Sequence, residues 1–96
     1  MSREKLSAAE IEQALAKLNG WIYRGNAIHR DVKLSSYRQG ATWLAQIVEL
    51  AEEQDHHPDM TLTYSNLAIT LSTHDAGGVT GRDLEMAQKI SAIVIQ

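Results

Sequence analysis

Apolar and polar residues follow two different periods along the chain, and the change of period predicts three helices and two β-hairpins. Apolar residues recur every three or four positions after Ser7, after the Ser35-Ser36 pair and after Thr80, as on one face of a helix. They alternate with polar residues in the segments 21–34 and 60–72, as in half-buried strands. The predicted order of elements is therefore α-β-β-α-β-β-α.

Turn residues and helix-cap residues lie at the ends of these segments, which supports that order of elements. Gly25-Asn26 and Ser65-Asn66 predict the turns of two hairpins, and Asn19-Gly20 predicts the end of the first helix. Ser7 with Glu10, and Thr80 with Asp83, have the spacing of N-terminal capping boxes. Two hairpins favour an antiparallel sheet with the helices gathered on one face. We expect an α+β fold and a single domain over residues 1–96.

The middle helix, expected to run to about Asp55, carries two apolar stripes. One consists of Tyr37, Ala41, Leu44, Val48 and Ala51, and the other of Trp43, Ile47 and Leu50. One stripe can cover the sheet, but a domain of this size has little to place against the second. We expect the stripe of Trp43, Ile47 and Leu50 to form a subunit interface; the alternative is a core helix that is covered on more than one side.

Composition and charge exclude several classes of function. The chain is 44% hydrophobic and has no cysteine, so we expect one globular core without disulfides or thiolate metal sites. Lys and Arg are absent from residues 39–81, while six carboxylates lie there. This region therefore lacks the basic face that nucleic-acid binding needs. No signal-peptide pattern and no membrane-length apolar run occurs, so we expect a cytoplasmic protein.

The chemistry of the chain is concentrated in its histidines. His56 and His57 directly precede Pro58 at the predicted end of the middle helix, and His74 follows the second hairpin. Glu52 lies four residues before His56, and Glu53 lies four before His57, so each imidazole can have a carboxylate on its own helical face. Such groups suit proton transfer near neutral pH. His29, on a predicted strand, is expected to face water.

Other site chemistries have weaker support. Three histidines with Asp55, Asp75 and Asp83 are ligand types for zinc, iron or manganese, so a metal site is the main competitor. Asp-His-His also begins the signature of metal-dependent phosphoesterases, but that family's further aspartate motifs and longer chain are missing. No nucleophile elbow or phosphate-binding glycine loop is present. Asp83 has a sufficient structural explanation as a capping residue.

Taken together, these motifs resemble one known family, the pterin-4a-carbinolamine dehydratases. The resemblance rests on a set of segments in the family's order and spacing, and it extends outward to the capping box at Ser7 and to Gly20-Trp21. The set consists of Glu52-x-x-x-His56-His57-Pro58, Tyr64, Ser72-Thr73-His74-Asp75 and Gly81-Arg82-Asp83. The chain departs from many members in having Met60 after the His-His-Pro-acid run and no phenylalanine.

The resemblance implies a fold, a reaction and roles for individual residues. It implies a four-stranded antiparallel sheet with three helices on one face, dimers joined through their sheets, and tetramers joined through the middle helices. The implied reaction is dehydration of 4a-hydroxytetrahydropterin to quinonoid dihydropterin, in support of tetrahydropterin recycling, without a metal or redox cofactor. By this analogy His56 and His74 are acid/base groups and His57 helps to hold the pterin. Glu52 and Asp83 would support the imidazoles, and the pocket would be lined by Asp55, Ser72, Thr73 and Asp75.

A second function remains open from the sequence. Animal relatives of this family stabilise the dimerisation helix of another protein, so the chain could be a non-enzymatic oligomeric binding module. That hypothesis would use the stripe of Trp43, Ile47 and Leu50. The two functions are compatible, because the histidines and the stripe are predicted to occupy different surfaces.

Overall fold

The computed structural model describes residues 4–95, which form a four-stranded antiparallel sheet and three α-helices. The strands lie in the order β1-β2-β4-β3, with β2 and β4 paired at the centre. The predicted α+β fold and its order of elements are confirmed. In chain order the elements are α1 (Ala8–Leu15), β1 (Trp21–Arg24), β2 (Ala27–Lys33), α2 (Tyr37–Gln54), β3 (Asp59–Leu62), β4 (Asn66–Leu71) and α3 (Gly81–Ile93).

The core lies between one face of the sheet and the helices. Alternate residues of the two central strands are buried, which follows from the two-residue repeat of a strand; they are Ile28, Val32, Leu67, Ile69 and Leu71. Residues from all three helices join the same cluster, among them Ile11, Ile47 and Ile90. The first hairpin turns at Gly25-Asn26, where both residues have positive φ, as a type I′ turn requires.

Some element boundaries differ from those that the sequence predicts. Helix α1 ends at Leu15 rather than at Asn19-Gly20, because the next backbone bonds, such as Leu18 N–H to Leu15 O, span three residues and tighten the chain into turns. Strand β4 begins at Asn66, which was expected in the turn. It ends at Leu71, so His74 lies beyond the strand.

Helix α2 turns to the core the stripe that we expected at a subunit interface, together with Ala51 from the other stripe, which is also buried. Trp43 and Ile47 are buried, whereas Tyr37 and Val48 are 53% and 40% exposed. A close approach at Gly40 supports this orientation, since a Cβ there would lie 2.5 Å from a methyl carbon of Leu34. The prediction of a subunit interface through Trp43, Ile47 and Leu50 is therefore wrong. Those residues belong to the core or pack against it.

No helix within residues 4–95 combines the length and the apolar character that crossing a bilayer requires.

Candidate functional site

A cavity of about 200 Å³ opens where the end of α2, the turn after β4 and the start of α3 meet. The structure brings together here all the site residues that the sequence predicts except Glu52 and Asp83, and each of these two contacts a histidine of the lining. The lining consists of Asp55, His56, His57, Ser72, Thr73, His74, Asp75 and Arg82. A larger groove of about 770 Å³ runs between α1 and α3, but it contains no histidine. The acid/base chemistry is therefore concentrated at the smaller cavity.

Asp55 reverses the backbone at the end of α2 and so separates the two adjacent histidines. It is the C-cap of the helix and has left-handed dihedral angles, φ 52° and ψ 45°. The next backbone N–H, that of His56, donates to the carbonyl of Ala51 at 3.1 Å. His56 then turns inward and is only 8% exposed, whereas the His57 side chain is 57% exposed.

His56 is held by Asp83 from the first turn of α3. Its Nε2 lies 2.6 Å from Asp83 Oδ1, and Asp83 is completely buried. The sequence predicts Glu52 as the partner of His56, and this prediction is wrong. The four-residue spacing holds only while the chain remains helical, and the left-handed Asp55 ends the helix before either histidine.

Asp83 also accepts hydrogen bonds from two threonines through its other oxygen. Oδ2 accepts from the backbone N–H of Thr80 at 2.9 Å and from the hydroxyl of Thr73 at 2.8 Å. The Thr73 and Thr80 hydroxyl oxygens are 2.9 Å apart. Because the single hydroxyl proton of Thr73 is donated to Asp83, Thr80 must be the donor in that pair. The bonds therefore run in one direction, from Thr80 to Thr73 to Asp83.

This network assigns different tasks to the two nitrogens of His56. With Asp83 as a carboxylate, Nε2 carries the proton that is donated to Oδ1. Nδ1 has no hydrogen-bond partner among residues 4–95. No buried side-chain nitrogen or oxygen in that range lacks a partner, so Nδ1 must be accessible. The nitrogen of His56 that can exchange a proton with a bound molecule is therefore Nδ1.

His57 and His74 differ from His56 in their surroundings. His57 Nε2 lies 2.6 Å from Glu52 Oε2, so Glu52 supports His57, and the predicted pairing of Glu53 with His57 is wrong. The Glu52 side chain is 68% exposed, which makes this pair a weak one. His74 begins a single 3₁₀ turn, His74–Ala76, and is exposed. Within the described chain its ring has no hydrogen-bond partner.

Two backbone hydrogen bonds fix the loop that carries His74. The backbone N–H of Thr73 donates to Gly78 O at 2.8 Å, and Ala76 N–H donates back to Thr73 O at 3.1 Å. Thr73 is buried, whereas Ser72 is half-buried and Asp75 is exposed. The loop thus presents Ser72, His74 and Asp75 to the cavity, while the hydroxyl of Thr73 points to Asp83.

Arg82 lines the cavity although the sequence did not single it out as a site residue. Its Nη2 donates to the backbone carbonyl of Asp55 at 2.9 Å. Residues 39–81 contain no Lys or Arg, and Arg82 directly follows that stretch. It is also the only Lys or Arg in the lining. The first of these facts is a signal that sequence analysis alone could have used.

Between residues 4 and 95, no group of three or more His, Cys, Asp or Glu is arranged to hold a metal ion. His56 and His57 each contact a different carboxylate, and His74 contacts neither.

Comparison with known proteins agrees with the fold and covers nearly the whole chain. The model of the family described as pterin 4 alpha carbinolamine dehydratase matches residues 4–93. A protein of Roseiflexus castenholzii, provisionally named a pterin-4-alpha-carbinolamine dehydratase, is 39% identical over 93% of this chain and 96% of its own. A similarly named protein of Sulfolobus acidocaldarius is 37% identical over 93% of this chain and 98% of its own.

Solved structures give the same result. A transcriptional coactivator/pterin dehydratase of Brucella melitensis superposes with a TM-score of 0.91 at 35% identity, covering 96% of this chain and all of the other. A pterin dehydratase-like protein, a RuBisCO assembly factor of the alpha-carboxysome, shares the fold with a TM-score of 0.69. It is 20% identical and covers 79% of this chain and 90% of its own. The chain belongs to the pterin 4 alpha carbinolamine dehydratase family.

Proposed function

We propose that this protein is a hydro-lyase that dehydrates 4a-hydroxytetrahydropterin to quinonoid dihydropterin. The observation that carries the proposal is the meeting of three histidines at one cavity, with His56 fixed by the buried Asp83 and its Nδ1 left accessible. Membership of the family supports the same chemistry. The cavity has both neutral and charged polar groups, which suits a small polar ring such as a pterin.

The reaction requires two proton transfers. One proton is delivered to the departing 4a-oxygen as the C4a–O bond breaks, and one is removed from N5 as the C4a=N5 double bond forms; water is the second product. Histidine can perform both steps near neutral pH. We assign the two transfers to His56, through Nδ1, and to His74. His57, supported by Glu52, holds the ring. Acid/base assistance of this kind accelerates a reaction by roughly 10²–10⁴-fold.

The remaining predicted site residues take two kinds of role in this proposal. Asp55, Ser72 and Asp75 line the cavity and are assigned to pterin binding. Thr73 and Asp83 are assigned to positioning, because the Thr73 hydroxyl donates a hydrogen bond to Asp83 and Asp83 contacts the His56 ring. Asp83 thus keeps Nε2 of His56 occupied and leaves Nδ1 for the substrate. No metal or redox cofactor takes part in this scheme.

A spectroscopic assay tests the proposal directly. Decay of 4a-hydroxytetrahydropterin, generated by a hydroxylase or synthesised, would be followed with and without the purified protein, in the presence of a metal chelator. We expect the decay to accelerate in proportion to protein concentration and to be insensitive to the chelator. A decay rate equal to that of the buffer would refute the dehydratase function, and loss of the acceleration with chelator would refute the metal-free mechanism.

We further propose that the protein is a cytoplasmic single domain, residues 1–96, that works as a homo-oligomer and supports tetrahydropterin recycling. An exposed apolar surface on α2 supports oligomer formation. This outer stripe consists of Tyr37, Ala41, Leu44 and Val48, of which Leu44 is half-buried and the others are exposed. A binding-module function would need the same surface, because the stripe of Trp43, Ile47 and Leu50 faces inward. The enzyme is the function that the cavity favours.

A further inference from the structure

We propose that Arg82 is a positioning residue that holds the reversed backbone at Asp55 and thereby sets the places of His56 and His57. The inference rests on the proposed dehydratase function for its kinetic part. Its structural basis is the hydrogen bond from Arg82 Nη2 to the carbonyl of Asp55, 2.9 Å long, at the edge of the cavity.

The backbone at Asp55 needs external support. Asp55 and Asn26 are the two non-glycine residues with positive φ in residues 4–95, and Asn26 lies in a two-residue hairpin turn that favours this conformation. A left-handed conformation is unfavourable for an L-residue, because it brings Cβ close to the following carbonyl oxygen. Contacts with the surrounding chain therefore help to hold Asp55 in this geometry.

The Asp55–His56 peptide group is hydrogen-bonded at both of its ends. Its oxygen accepts from Arg82 Nη2, and its nitrogen, that of His56, donates to Ala51 O at 3.1 Å. A peptide group is planar, so fixing both its oxygen and its N–H fixes the orientation of the whole unit. That unit determines the direction in which His56 leaves the helix, and His57 follows it directly.

The backbone of Arg82 is held in the first turn of α3, the helix whose Asp83 contacts the His56 ring. Its backbone N–H donates to Thr80 Oγ1 at 3.2 Å, in the capping turn of α3. The next residue, Asp83, contacts the ring of His56. Two consecutive residues of α3 thus hold neighbouring groups: Arg82 holds the backbone carbonyl of Asp55, and Asp83 holds the ring of His56. Over residues 4–95 Arg82 makes no ion pair, although Asp55 and Asp75 line the same cavity.

The test compares Arg82→Met with Arg82→Lys and with a control, Arg38→Met, which removes the same charge from an exposed position in the first turn of α2. Amide hydrogen exchange reports the His56 N–H, and the ring Cε1–H resonances of His56 and His57 report their placement. In Arg82→Met we expect faster exchange at His56 and shifted ring resonances. Arg82→Lys should be intermediate, and Arg38→Met should match the wild type.

Kinetics separate positioning from substrate binding. A misplaced acid/base group lowers kcat, and displacements of about 1 Å can reduce rates by roughly 10²-fold. We expect Arg82→Met to lower kcat by about 10–100-fold on this basis, with little change in KM. A raised KM with unchanged kcat would overturn the proposal in favour of direct substrate binding, and unchanged exchange at His56 would also overturn it.

Two further outcomes keep this proposal separate from the dehydratase function. If the wild type has no dehydratase activity, the proposed function fails, and the exchange and ring resonances still decide whether Arg82 positions the histidines. If Arg82→Met does not fold, the same measurements on Arg82→Lys decide the question, since this variant retains the charge and a donor. Wild-type exchange and wild-type resonances in a folded Arg82→Lys would then contradict the need for the guanidinium.

Discussion

His56 and Asp83 are 27 residues apart in sequence, yet His56 Nε2 lies 2.6 Å from Asp83 Oδ1. Asp83 is also the residue that completes the capping box of α3 by accepting from Thr80 N–H. One buried carboxylate therefore begins a helix and orients a histidine at the same time. The structural explanation of Asp83 and its functional explanation are both supported by its contacts.

The two capping boxes of the chain should differ in their contribution to stability. Asp83→Ala removes the acceptor of three buried donors, the His56 ring N–H, the Thr73 hydroxyl and the Thr80 backbone N–H, and each buried donor left unpaired lowers the free energy of unfolding by about 1–3 kcal/mol. Ser7→Ala removes an exposed cap, which is worth about 1 kcal/mol. Urea unfolding of both variants measures the difference. Equal losses would show that Asp83 acts only as a local cap.

Stability should depend on pH through Glu10. The backbone N–H and the hydroxyl of Ser7 hydrogen-bond the Glu10 carboxylate and hold its pKa below the ordinary value. Because the folded pKa is the lower one, this contribution is present above the unfolded pKa and is lost as the pH falls through the folded pKa. Glu10→Gln lacks this contribution, so it should be less stable than the wild type at neutral pH. The difference in free energy of unfolding between the two should shrink as the pH is lowered below about 4.3. A deficit that stays constant across that range would contradict the assignment.

Variants of Thr73 distinguish a positioning role for its hydroxyl from a direct contact with the substrate. Thr73→Val keeps the side-chain shape but removes the hydroxyl donated to Asp83, and an unsatisfied buried partner costs about 1–3 kcal/mol. We expect Thr73→Val to lose stability in this range and to have a lower kcat, while Thr73→Ser retains both. Urea unfolding and steady-state kinetics check this. A rise in KM alone, without loss of stability, would instead support the substrate-binding role that the sequence suggested.

The two stripes of α2 should respond differently to substitution. Trp43→Ala opens a cavity in the core, and such changes typically lower stability by about 3–5 kcal/mol. Val48→Glu places a charge on the exposed outer stripe and should leave the fold intact while lowering the mass found by sedimentation. A wild-type mass equal to one chain, or an unchanged mass in Val48→Glu, would rule out an oligomer built on this surface.

The sequence predicted the elements of this fold better than it predicted the contacts within the site. Hydrophobic periodicity located all three helices and both hairpins, and the cap pattern at Thr80 predicted where α3 begins. The partners of His56 and His57 could not be predicted, because four-residue spacing applies inside a helix and Asp55 reverses the chain before both of them. The inward face of α2 was ambiguous, since both stripes are apolar. The close approach at Gly40 that supports the orientation depends on Leu34 and also on Leu62, which is distant from Gly40 in sequence.

The central claim is that His56 and His74 transfer protons in dehydration, and alanine variants of these two histidines and of His29 test it most directly. His29 is the matched control, because it lies on the sheet with its ring nitrogens near Thr70 Oγ1 and Arg24 O, away from the cavity. The measurement is the dehydration rate of 4a-hydroxytetrahydropterin for His56→Ala, His74→Ala, their double variant and His29→Ala. We expect each single cavity variant to be slower by at least roughly 10²-fold and the double variant to approach the uncatalysed rate. His29→Ala should match the wild type. A folded double variant with the wild-type rate would contradict the account.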